Sequence, residues 1–175
     1  INLVTDGLPG LALATEPPER DVMRRPPRAP TESIFAHGMW QHIIWVGLVM
    51  GAVCLILQAG AIEAGAHWQT MVFTVLCLSQ LGHAMAIRSE RDSLFTLGLW
   101  TNRTLTLTVL FTVGLQLATI YIPLLNPIFK TVPLTLAELA ICFGASSIVF
   151  LAVEAEKWLV RRGRLYGEPA SRRGA

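Results

Sequence analysis

The chain has 175 residues, 53% of them hydrophobic, with 14 Lys and Arg against 12 Asp and Glu. Charged residues make up 15% where a soluble domain carries about 25%, and mean hydropathy is +0.51. That composition excludes an ordinary soluble domain and a disordered chain, and a net charge of +2 singles out no nucleic-acid partner.

Residues 1–14 are apolar apart from Asp6 and too short to span a bilayer, so they read as the second half of a helix. Ile1 stands where an encoded chain would carry Met and no basic leader precedes it, so a fragment is expected. Residues 15–36 form a Pro-rich connection. Charge-free runs of more than about 20 residues then predict helical spans at 38–62, 67–87, 104–125 and 133–157, the last broken only by Glu138 until Glu154. Lipid offers the backbone no partners, which favours helix at this length. The expected organisation is an all-α membrane protein: a half-helix over 1–14, the 15–36 connection, a four-helix membrane domain over 37–160 and a basic tail over 161–175.

Of the 14 cationic residues, 13 fall in the 15–35 connection, between the second and third spans, or after the last span, and only Lys130 lies on the other side. Segments rich in Lys and Arg stay cytoplasmic, which places the connection and the C-terminus inside and 62–67 and 126–132 outside. Arginines directly after a span orient it or meet anionic lipid, so no nucleic-acid role is expected of the tail.

The segment Ile1-Asn2-Leu3-Val4-Thr5-Asp6-Gly7-Leu8-Pro9-Gly10 concentrates the chemistry. On a helix Asn2, Thr5 and Asp6 share one face and present three hard oxygen donors. A carboxylate inside a membrane is costly unless it is paired or faces a wet cavity. Gly7, Pro9 and Gly10 weaken the helix just beyond it, as in discontinuous helices around transported ions, and hard donors favour Ca2+, Mg2+ or Mn2+. A plain alternative is that Asp6 caps a short interfacial helix. Three or four oxygens do not fill a Ca2+ shell, so further ligands are required.

In the connection, Pro17, Pro18, Pro26, Pro27 and Pro30 impose extended backbone, with Glu16, Glu19 and Asp21 alternating with arginines. Further along, Gly47 and Gly51 form G-x-x-x-G, a possible close helix contact. Gln80 and His83 share a face, and an interhelical hydrogen bond is the expected use of His83 over a proton-linked one. Glu63 and His67 have i, i+4 spacing across a turn-forming Ala-Gly-Ala, which argues against a metal site. Glu138 is expected to be structural, snorkelling or pairing with Lys130, and Glu154 and Lys157 to form an i, i+3 ion pair. Trp40, Trp45, Trp68, Trp100 and Trp158 fit an interfacial belt, and Cys54, Cys77 and Cys142 read as buried hydrophobes.

Asn2-Leu3-Val4-Thr5-Asp6-Gly7-Leu8-Pro9, followed by Glu16-Pro17-Pro18-Glu19-Arg20-Asp21-Val22-Met23-Arg24-Arg25-Pro26-Pro27-Arg28 and four spans, resembles the sixth membrane helix onward of type II P-type cation ATPases, the calcium-pump group. The resemblance implies helices six to ten of such a pump. It implies that Asn2 and Asp6 ligate the transported ion, that Thr5 matches a ligand of the second site of two-ion pumps, and that Glu19 and Asp21 couple the cytoplasmic phosphorylation domain to the ion helices. Gln80 falls where two-ion pumps carry a ligand Glu. An amide gives an oxygen but no charge, so one Ca2+ per cycle is expected.

The expected parent is a Ca2+-translocating ATPase of the plasma (inner) membrane, using Mg2+ and ATP in parts not encoded here, since the chain has no D-K-T-G phosphorylation motif or nucleotide-binding sequence. The expected partners are the remaining helices and cytoplasmic domains of the same pump and the lipid bilayer. Alternatives are a Mn2+ or monovalent-cation pump of the same family, or a non-catalytic pump-like scaffold.

Overall fold

The structure is a computed structural model describing residues 7–17, 38–89, 93–162 and 164–165. The candidate ligands Asn2, Thr5 and Asp6, and the coupling candidates Glu19 and Asp21, lie outside the described residues. Four long helices stand where charge-free runs predicted them: Met39–Glu63 (α2), Trp68–Ala86 (α3), Arg103–Tyr121 (α5) and Leu136–Arg161 (α7). Leu8–Leu13 (α1), Leu94–Leu97 (α4) and Asn126–Phe129 (α6) are short, with a 3-10 turn at Leu99–Thr101.

Local chemistry sets the ends. Gly38 enters α2 at φ 90°, a left-handed backbone open to glycine, and Gly65 turns the chain between α2 and α3 at φ 63°. The third span stops at Tyr121, four residues short of the expected 125, because Ile122 precedes Pro123 and is extended at φ −89°, ψ 113°. Thr135 opens α7 with a capping box: its hydroxyl accepts from the Glu138 amide, while the Glu138 carboxylate accepts from the Thr135 amide.

Among the described residues three helices, α2, α5 and α7, are long and apolar enough to cross a membrane. The fourth expected span, α3, is less apolar because it is the central helix. Ten of its residues are buried, Thr70, Thr74 and Ser79 among them, and it packs on α7, α2 and α5. By contrast α2 buries only Val46 and Ala61 and presents Leu48, Leu55 and Ile56 outward, a surface suited to lipid rather than water. A β-carbon built on Gly47 or Gly51 would meet nothing within 4 Å, so the G-x-x-x-G face makes no helix contact among the described residues.

The core divides along the bundle. Met71, Val75, Ile120, Leu134 and Cys142 pack near the end that carries Glu138; Val46, Ala86, Val149 and Val153 join α2, α3 and α7 near the other, basic end. There α1 is held separately, with Ala12 against Met85, Leu94 and Leu105. Cys77 and Cys142 are buried, as their apolar settings predicted, Cys54 is only half-buried, and none of the three is in a disulfide.

Candidate functional site

The described part of the site begins at Gly7, whose backbone is right-handed helical (φ −66°, ψ −49°), directly after the candidate ligand Asp6. Pro9 occupies the first turn of α1, where its missing N–H leaves no bond unmade, and is buried. With six residues α1 is far too short to be stable alone, so tertiary contacts set its position.

Those contacts form one polar knot at its C-terminal end. Arg88, just beyond α3, donates from Nε to both Glu16 oxygens at 3.1 Å and from a terminal nitrogen to Oε1 at 2.8 Å. Its other terminal nitrogen donates to the Gly98 carbonyl at 3.1 Å, and the side chain has 0% exposure. Asn102 completes the knot. Its Nδ2 donates to Glu16 Oε2 at 2.8 Å and to the Ala12 carbonyl at 3.2 Å, while its Oδ1 accepts the Leu105 amide at 2.9 Å and caps α5. One amide therefore serves the last turn of α1 and the first turn of α5. The guanidinium also stands at the negative end of α1, where a cation is favoured.

Gln80 lies on α3, half-buried and engaged with other groups of the chain. Thr74, Met85 and Arg88, which meet α5 and α1, recur along one row of α3 and its extension. Gln80 sits about a third of a turn from that row. Below it, His83 Nε2 lies 3.2 Å from His42 Nε2 with the rings stacked, and Glu156 Oε2 lies 2.6 Å from His42 Nδ1. The interhelical hydrogen bond expected of His83 is thus present. No cluster of metal-binding side chains occurs among the described residues.

The remaining charges also find structural uses. Glu138 does not pair with Lys130. Its Oε1 accepts from the His67 amide at 3.0 Å and lies 3.0 Å from His67 Nδ1, and its other oxygen serves Thr135. The nearer donors win. Lys157 pairs with Glu154 at 2.6 Å, as their spacing predicted, and also donates to the Ala86 carbonyl at the end of α3 at 2.9 Å. Glu154 meanwhile accepts from Ser93 Oγ at 2.6 Å and the Leu94 amide. Trp40, Trp100 and Trp158 are exposed near the basic end, consistent with a belt, and Arg162 stacks on Trp158 at 3.8 Å.

Comparison with known proteins decides the family. The family "Cation transporting ATPase, C-terminus" matches residues 1–159. The chain belongs to that family. It is 39% identical over 152 residues to a "Calcium-transporting ATPase" of Bacillus subtilis, covering 85% of this chain and 17% of the relative. It is 30% identical over 166 residues to "Calcium-transporting ATPase 1" of Saccharomyces cerevisiae, covering 93% and 18%. Against human "Calcium-transporting ATPase type 2C member 1" it is 30% identical over 164 residues, covering 92% and 18%. The chain thus spans under a fifth of the length of these relatives.

As a cation-transporting ATPase C-terminal region of the type II P-type group, the chain is an integral membrane protein, and its apolar outer surface follows. The knot of Glu16, Arg88 and Asn102 escaped sequence reasoning. Arg88 looked like an orientation charge and Glu16 like part of a solvated linker, and 72 residues separate them. Their one visible signal was position, since each directly ends an apolar segment.

Proposed function

We propose that this chain is the C-terminal membrane domain of a P-type ATPase that carries Ca2+ out of the cytoplasm. The observation that carries the proposal is Asn2-x-x-Thr5-Asp6-Gly7 at the entry of a Pro-broken half-helix, in a chain whose relatives are calcium-transporting ATPases. Asn2 and Asp6 supply oxygen ligands, and Asp6 supplies the charge that compensates the dehydrated ion. Thr5 offers a hydroxyl at the edge of the site. Gln80 offers a neutral carbonyl, which supports one Ca2+ per cycle. Gly7, Pro9 and Gly10 are poor helix formers just after Asp6, which supports a discontinuous helix there with carbonyls able to face an ion.

Phosphorylation from Mg2+ and ATP belongs to other parts of the pump. The distribution of cations supports a cytoplasmic C-terminus and connection, and the setting proposed for the pump is a plasma (inner) membrane. In this organisation 1–14 is the ion half-helix, 15–36 the coupling connection through Glu19 and Asp21, 37–160 the membrane scaffold and 161–175 a basic tail. The test is Asp6→Asn in the full-length pump, assayed for cation-dependent phosphoenzyme with Ca2+ and, in parallel, Mn2+ and Na+. Loss of Ca2+-dependent phosphorylation is expected. Unchanged Ca2+ dependence removes Asp6 from the ligands, and a response to another cation alone replaces Ca2+ as the cargo.

A further inference from the structure

We propose that Arg88 is a positioning residue for transport: through Glu16 and Asn102 it fixes the ion-binding half-helix and thereby sets the affinity for the cytoplasmic cation. This rests on the proposed Ca2+ site at Asn2 and Asp6.

Among its described residues the half-helix buries few side chains. Within α1 only Pro9 and Ala12 are buried, while Leu8 and Leu11 are exposed. A six-residue helix cannot define its own axis. Its polar tie to the bundle is therefore concentrated at its C-terminal end, in the Ala12 carbonyl and the Glu16 carboxylate, and both of these reach Asn102. Arg88 is the centre of that tie. Four hydrogen bonds leave its guanidinium, three of them to Glu16 and one to the α3–α5 connection at Gly98. A planar fork held at several points resists both translation and rotation of the Glu16 carboxylate, which a lysine ammonium does not.

The tie also joins the two segments that carry proposed ligands. Asp6 precedes Glu16 by ten residues and Gln80 precedes Arg88 by eight, so the Glu16–Arg88 pair closes the basic end of both segments. Arg88 is itself anchored on a connection that α7 grips from the other side, through Glu154 to Ser93 and Leu94 and through Lys157 to Ala86. The half-helix is thus referenced to α3, α5 and α7 by charge and hydrogen bonds, not by apolar packing alone. Ligand oxygens placed within a few tenths of an ångström bind a cation far better than loosely held ones, so release of this tie weakens binding without touching a ligand.

The experiment titrates Ca2+ in the full-length pump and reads half-saturating Ca2+ for phosphoenzyme formation separately from the maximal level. Arg88→Ala is expected to raise half-saturating Ca2+ about tenfold, the scale of one lost charge-assisted bond, with the maximal level largely kept. Arg88→Lys should recover only part of this. Glu16→Gln, which preserves volume but removes the charge and exchanges one acceptor oxygen for a donor, should give a shift in the same direction and serves if Arg88→Ala lowers folded yield. A fall in maximal level with unchanged half-saturating Ca2+ in Glu16→Gln and Arg88→Lys, or no change at all, overturns the proposal. Asp6→Asn run alongside separates the two claims: if it leaves Ca2+ dependence intact, the ion-site assignment fails; if it abolishes that dependence while the Arg88 variants titrate like wild type, only the positioning role fails.

Discussion

The Nε2 atoms of His42 and His83 face each other at 3.2 Å, so one of the two must carry the hydrogen. Glu156 decides which. Its Oε2 lies 2.6 Å from His42 Nδ1 and takes that N–H, leaving His42 Nε2 a lone pair and making His83 the donor. A donor at position 83 is what the contact requires. His83→Gln, which keeps an N–H, should cost under about 0.5 kcal/mol of stability, whereas His83→Leu should cost about 1 kcal/mol by stranding the imidazole acceptor. Thermal midpoints of the purified full-length pump check the order, and equal losses would refute the assigned direction.

Lys157 is buried beside Glu154 and also holds the last turn of α3 through the Ala86 carbonyl. Lys157→Met should destabilise by about 3 kcal/mol, because the Glu154 carboxylate then keeps its burial and loses its counter-charge. Adding Glu154→Gln should restore part of the folded yield, measured by detergent-resistant monodisperse protein.

Ser79 is fully buried and its hydroxyl has no hydrogen-bond partner among the described residues. Most buried substitutions weaken a protein, but here the usual sign reverses. Ser79→Ala removes an uncompensated polar group and should leave the thermal midpoint unchanged or raise it, by up to about 1 kcal/mol in stability. A clear loss would mean that another part of the pump satisfies this hydroxyl.

With Gln80 in place of a carboxylate, the full-length pump should bind one Ca2+ per phosphoenzyme. Radioactive Ca2+ binding against phosphoenzyme measures the ratio, and a value of two would defeat the argument from the neutral amide.

Helix positions were legible because a charge-free run of bilayer length permits little else, and α2, α3, α5 and α7 stand within a few residues of expectation. The early end of α5 was written in Pro123, whose effect on Ile122 acts backwards along the chain. Lateral pairings were not legible. Nothing in the spacing of His67 and Glu138, or of Glu16 and Arg88, announces that they meet, because helix packing is set by side-chain shape across the whole bundle. Of the candidate site, Gln80 could be placed on α3, while the motif at Asn2, Thr5 and Asp6 is carried by its sequence alone.

The amide of Asn102 has two ends with opposite duties, and a single-atom exchange separates them. Aspartate there would still cap α5 through its oxygen, since the Leu105 amide asks only for an acceptor. At the other end it would set an oxygen where Nδ2 now serves the Ala12 carbonyl and the Glu16 carboxylate. An isosteric change would thus leave one helix well begun and push its neighbour away. Shape alone therefore does not account for this position; the polarity of one side chain, read from end to end, does.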